Sequence, residues 1–128
     1  MRKVIQTTDA PNSLGPYNQA ILSNGTLYIS GQIAIDPSTD KIVTDTIEDE
    51  TQQVMKNLKA VLKAADMTFE NVVKSSIFIS DMNDFGKINQ VYGSYFKEET
   101  APARETVEVA RLPKNVGVEI SMIAVTLL

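Results

Sequence analysis

Apolar positions follow two rhythms along this chain, one of period two and one of period 3.6, and the changes of rhythm mark its elements. Val4 to Gln6 reads as a short first strand. After the Gly15-Pro16 break, Gln19-Ala20-Ile21-Leu22-Ser23 and Thr26-Leu27-Tyr28-Ile29-Ser30 flank Asn24-Gly25. Asn-Gly between two apolar runs is a strong short-range hairpin signal, because both turn positions need φ > 0. Asp36-Pro37-Ser38-Thr39-Asp40 reads as a second turn. From Ile47 to about Ala65 the period lengthens, and Ile47, Val54, Leu58, Val61, Leu62 and Ala65 form one helical stripe. Thr46 is placed to cap this helix, and Glu48-Asp49-Glu50 puts negative charge at the positive end of its dipole. Consecutive helix residues point in different directions, so the three carboxylates read as a charged first turn and not as a metal cluster.

β-branched residues return at Val72 to Ser80, a further strand. A second helix is predicted over Asn83 to Phe96, with Phe85, Ile88, Val91, Tyr92, Tyr95 and Phe96 on its apolar face. Pro102 restarts an extended segment, Arg104 to Val109, and the last strand is Val118 to Leu127. The order βββαβαββ predicts an α+β protein: a single mixed β-sheet with two helices packed on one face. In the last strand Val118, Ile120, Met122 and Ala124 point one way. Ile123, Val125 and Leu127 point the other, together with Glu119 and Ser121. Helices cover one face only, so the second apolar face predicts a homo-oligomer packed through the sheet.

Composition removes more chemistry than it adds. A chain of 128 residues, 43% hydrophobic and 22% charged, fits one ordinary globular domain. It has no His and no Cys. Ser-His-Asp and Cys-His nucleophilic sites, disulfides and thiolate or imidazole metal sites are therefore excluded. Catalysis is left to carboxylates, Arg, Lys, Tyr, hydroxyls or the backbone. Twelve Lys and Arg against sixteen Asp and Glu give a net charge of −4, which argues against nucleic acid as the main partner. No stretch is long and apolar enough for a signal peptide or a membrane span, so a soluble cytoplasmic protein is expected.

Arg104 and Glu119 stand out as candidate chemistry. Were their strands antiparallel neighbours, both side chains would meet at one mouth of the sheet. The Arg fork holds a carboxylate through two parallel hydrogen bonds, and a neighbouring carboxylate can orient a water and accept its proton. A structural salt bridge between the two is the plain alternative. Gly15-Pro16-Tyr17 is a rigid turn aiming an aromatic ring, at a pocket wall or at the core. Ser30-Gly31-Gln32 ends a strand with a residue that permits close backbone approach or a bulge. Asn89, beside Ile88 on the second helix, offers an amide. Tyr28, Tyr92 and Tyr95 read as core or interface aromatics. The six glycines are scattered, so no phosphate-cradling loop exists.

Several of these strings occur together in a recognisable order. Gly15-Pro16-Tyr17-Asn18-Gln19-Ala20, Ser30-Gly31-Gln32-Ile33 and Asp36-Pro37 come first. Asn57-Leu58-Lys59-Ala60-Val61-Leu62, Asp81-Met82-Asn83-Asp84-Phe85 and Asn89 with Val91-Tyr92 follow. Pro102-Ala103-Arg104, Val107 to Lys114 and Val118-Glu119-Ile120 complete the set. In this the chain closely resembles the RidA/YjgF family of small imine deaminases, over nearly its whole length. The resemblance implies one domain, residues 1–128, with a chorismate-mutase-like fold, assembled as a homotrimer with three clefts between subunits. It also implies hydrolysis of reactive 2-imino acids and their enamine tautomers to 2-keto acids and ammonia, without cofactor or metal. Arg104 would then clamp the substrate carboxylate and Glu119 would activate water. Tyr17, Ser30, Gly31 and Asn89 would line the cleft.

Three positions depart from the family pattern. Glu105 replaces a Ser, Thr106 a Cys, and Ala101 an aromatic. Strand alternation points Glu105 away from the site, whereas a bulge would set a second negative charge beside the clamp. A non-catalytic protein that binds a small acid in the same clefts is the competing reading, and it needs Arg104 but not Glu119. Ribonuclease activity fits poorly with the acidic balance and the absence of His.

Overall fold

The computed structural model describes residues 2–127. Strands β1 (Arg2–Ile5), β2 (Ala20–Ser23), β3 (Thr26–Gln32), β6 (Val72–Ile79), β7 (Ala103–Glu108) and β8 (Val118–Val125) form one sheet in the order β1-β2-β3-β8-β6-β7. All neighbours are antiparallel except β6 and β7, which run parallel. Helices α1 (Ile47–Ala64) and α2 (Phe85–Gly93) cover one face, as the α+β order predicts. A small separate hairpin, β4 (Ile35–Asp36) with β5 (Lys41–Ile42), closes over the Asp36–Asp40 turn.

Local chemistry explains most of the boundaries. Asn24 and Gly25 take φ of 50° and 80°, as the tight β2–β3 turn requires. The Thr46 hydroxyl accepts the Asp49 N–H at 3.0 Å, capping α1. Val54, Leu58, Val61 and Leu62 are fully buried against Leu27, Ile77, Val118 and Ile120 of the sheet. Of the three acidic residues in the first turn of α1, Glu50 turns inward instead of capping in solvent. Its Oε1 accepts the Gly117 N–H at 2.6 Å, tying α1 to the start of β8, and burial raises its pKa.

Helix α2 is shorter than predicted. Met82–Asp84 is a separate 3₁₀ turn capped by Asp81, and the chain after Gly93 tightens into consecutive turns. Strand β8 ends at Val125, so Leu127 lies beyond it and is exposed.

The face away from the helices carries Val4, Ile21, Tyr28 and Ile123 in one row across β1, β2, β3 and β8. Tyr28 is 51% exposed and Val4 44%. Within one chain this second face has no cover among the described residues.

Candidate active site

Strand β6 lies between β7 and β8, so the strands of Arg104 and Glu119 are not neighbours. Arg104 pairs with Ser75, which is fully buried beneath the helices, while Glu119 pairs with Phe78, on the opposite face. The expected meeting of both side chains at one mouth of the sheet is therefore wrong for a single chain. So is the structural salt bridge between them. A pleated sheet separates the two groups, and no side chain reaches around it.

Arg104 occupies the edge of the helix-covered face. Its Nη1 donates to Asn89 Oδ1 at 2.6 Å, and the guanidinium lies over the rings of Tyr92 and Phe85. The other N–H groups of the fork have no acceptor among the described residues. Glu105 points to the far face, where it accepts from Ser76 and pairs with Lys74 at 3.0 Å. The β6–β7 register runs unbroken, so alternation holds and no bulge brings Glu105 beside Arg104. Thr106 faces the helices with Arg104, and its buried hydroxyl has no partner among the described residues.

Glu119 stands on the other face, half-buried in the mouth of a cavity of about 200 Å³. Leu14, Tyr17, Gly31, Gln32 and Lys114 line the same cavity. Burial raises the pKa of Glu119, and no ion pair among the described residues offsets it. Gly31 sits beneath the carboxylate: a Cβ there would come 2.7 Å from Oε2 and 2.8 Å from Cδ. The ladder is also irregular between Ile29 and Gln32. Gly31 therefore serves both a bulge and a close approach, the two options its position in the sequence left open.

The loop that carries Tyr17 is built from within. The Ser30 hydroxyl donates to the Asn18 carbonyl at 2.6 Å, so its oxygen holds the loop in place. The Tyr17 N–H closes a tight turn on Gly15 at 2.8 Å, leaving the ring 51% exposed. Buried Gln19 accepts the Thr7 N–H at 2.7 Å and donates to Pro11 O at 2.8 Å. One glutamine thus shapes the whole 7–18 segment, a role that nothing in its sequence context announced.

The structure brings Tyr17, Ser30, Gly31 and Glu119 together on one face, and Arg104 with Asn89 on the other. Sequence reading missed Phe85 and Tyr92 beside Arg104, although Phe85, Asn89 and Tyr92 stand at i, i+4 and i+7 on one helix face. Lys114 was missed beside Glu119; it takes φ of 56°, as does Asn115. A larger open groove of about 750 Å³, bordered by Phe69, Tyr95, Phe96 and Leu127, contains neither charged group.

Residues 7–126 match the model of the family described as Endoribonuclease L-PSP. A RutC family protein of Synechocystis is 56% identical over 124 residues, spanning 96% of this chain and 95% of that protein. The mouse 2-iminobutanoate/2-iminopropanoate deaminase is 48% identical over 125 residues, spanning 98% of this chain and 92% of the mouse protein. Among solved structures, Escherichia coli TdcF with bound serine superposes with a TM-score of 0.92 at 40% identity, covering 98% of this chain and 99% of that one. With a family match over nearly the whole chain and relatives near half-identical, the chain belongs to the RidA/YjgF family.

Proposed function

We propose that the protein is a hydrolytic deaminase of 2-imino acids and their enamine tautomers, releasing 2-keto acids and ammonia in clefts formed between copies of the chain. One observation carries this reading: Arg104, with most of its fork unpaired, and half-buried Glu119 occupy opposite faces of one sheet. A site that uses both must take them from two chains. The uncovered apolar face around Tyr28 and Ile123 supports assembly through the sheet, and a homotrimer provides three equivalent clefts.

The chemistry suits this residue set. An imine carbon is already electrophilic, so water needs positioning and one proton acceptor. Arg104 holds the substrate carboxylate, and Asn89 fixes how the fork is turned. Glu119 takes a proton from water as its oxygen bonds to C2. The C=N electron pair settles on the nitrogen of the protonated imine, giving a neutral carbinolamine. The carboxyl returns its proton to that nitrogen and takes up the hydroxyl proton as the C2–N bond breaks and the C2–O bond becomes a carbonyl, releasing ammonia. Tyr17 and Gly31 wall the cleft on the Glu119 side. The mouse relative carries the name of this activity, and the bacterial neighbour holds serine, a small acid of comparable size. Ribonuclease action, which the family description names, has no His to use here and a net charge of −4 to overcome.

The test is ammonia and 2-keto acid release when the protein is added to a dehydratase generating 2-aminoacrylate, followed by subunit mixing. Arg104→Lys and Glu119→Gln chains are each expected to be inactive. Dissociated and reassembled together, they should regain activity in about a quarter of the clefts, where one chain supplies Arg104 and the other Glu119. No recovery in mixed assemblies would refute the two-chain site. No release by the parent protein would refute the activity itself.

A further inference from the structure

Arg104 is held by a closed circuit of contacts that extends past Asn89. Its guanidinium carbon lies 5.2 Å from the Tyr92 ring centroid and 5.7 Å from that of Phe85. Both are within the roughly 6 Å at which a ring face attracts a cation. Tyr92 is itself immobilised: it is 4% exposed, and its hydroxyl donates to Ser75 Oγ at 2.9 Å. Ser75 is the β6 residue paired with Arg104 on β7, so the chain of contacts closes on the strand hydrogen-bonded to the one that carries Arg104. Phe96 packs on the Tyr92 ring at 4.9 Å and is backed in turn by Phe69 at 5.4 Å. Burial keeps the Tyr92 phenol neutral and therefore able to donate.

These contacts divide the control of one flexible side chain. Asn89 holds Nη1 and limits rotation within the guanidinium plane, whereas the rings limit the tilt of the plane itself. An Arg on an exposed edge strand otherwise samples many rotamers, and ordering it on binding costs affinity.

We propose that Tyr92, anchored by Ser75 and flanked by Phe85, is a positioning residue that sets the plane in which Arg104 meets the substrate carboxylate. A bidentate pair is coplanar, so fixing the fork also fixes the carboxylate and the face of C2 that water attacks. The inference rests on Arg104 being the carboxylate clamp.

A double-mutant cycle read by pyruvate affinity and by KM and kcat tests it. Tyr92→Leu should weaken pyruvate binding about 5-fold and raise KM in the same proportion. Tyr92→Phe keeps the ring and should bind within about 2-fold of the parent, although it strands Ser75. In an Arg104→Lys background the Leu change should have no further effect, because the planar fork is gone. Phe85 is only half-buried, so Phe85→Leu repeats the measurement without opening the core, with an expected loss of about 2-fold to 3-fold. Parent-like affinity in folded Tyr92→Leu or Phe85→Leu overturns the proposal. So does an equal loss in both backgrounds, which marks a merely structural role. Parent-like pyruvate binding by Arg104→Lys alone would instead remove the clamp on which the proposal stands.

Discussion

Arg104 and Glu119 are both charged and both on strands, yet their surroundings are opposite in kind. Arg104 stands on an exposed edge strand, and two rings and an amide support it. Glu119 stands on an interior strand, half-buried, and its dominant influence is lost hydration. A group that must hold a ligand benefits from having its orientation settled beforehand. A group that must take a proton benefits from a raised pKa, because an unstabilised carboxylate is the better base. Support suits the clamp proposed for Arg104, and isolation suits the base proposed for Glu119.

Removing the proposed base should have the largest effect. Glu119→Gln keeps size and shape, so imine hydrolysis should fall by about 10²–10⁴-fold while pyruvate affinity holds or tightens. Paired rate and affinity measurements on the same folded assembly check this, and an unchanged rate would make Glu119 structural. Arg104→Lys should lose affinity as well as turnover, weakening pyruvate by about 10-fold to 100-fold through loss of the fork while charge is kept. Titration calorimetry reads it directly.

Gly31→Ala sharpens the comparison from the Glu119 side. The new Cβ meets the end of a flexible side chain, so the carboxylate moves aside and the backbone does not. The rate should drop about 10-fold or more, with stability within about 1 kcal/mol of the parent. A large fall in melting temperature would show that the backbone had yielded instead.

The smallest effect is on pH dependence. The pKa of Glu119 is raised by burial, so kcat/KM should fall on acidification at a pH above the ordinary Glu value of about 4.3. The same shift means that the folded chain binds the proton more tightly than the unfolded one. Its contribution to stability is full below the unfolded pKa and is lost as pH rises through the folded one. Glu119→Gln should therefore melt higher than the parent at neutral pH, with the gain vanishing towards pH 4. Thermal scans across that range check the sign.

What was legible in the sequence was what neighbouring residues decide. Asn24-Gly25, the Thr46 cap and the stripe from Ile47 to Leu62 are local signals, and each gave an element within a residue or two. The two faces of β8 could be read from alternation alone. Pairing partners could not be read. Nothing in Arg104-Glu105-Thr106 says that it lies parallel to Ser75-Ser76-Ile77, and that pairing separates Arg104 from Glu119. Residues 83–84 and 94–96 carry helical periodicity but close as tighter turns, because periodicity marks a face and not its ends. The support under Arg104 went unseen because Tyr92 and Phe85 also satisfy a core pattern.

The β6–β7 register has a consequence for fidelity. Adjacent positions on β7 carry opposite charges, Arg104 towards the helices and Glu105 away. A slip of one residue would exchange them, setting a carboxylate against Tyr92 and Phe85 and turning a cationic edge into an anionic one. The Lys74–Glu105 pair and the Ser76–Glu105 bond form only in the correct alignment, so the error costs contacts on both faces at once. A single-residue deletion between Thr100 and Pro102 should therefore be far more harmful than most substitutions there, because it shifts which charge the strand presents.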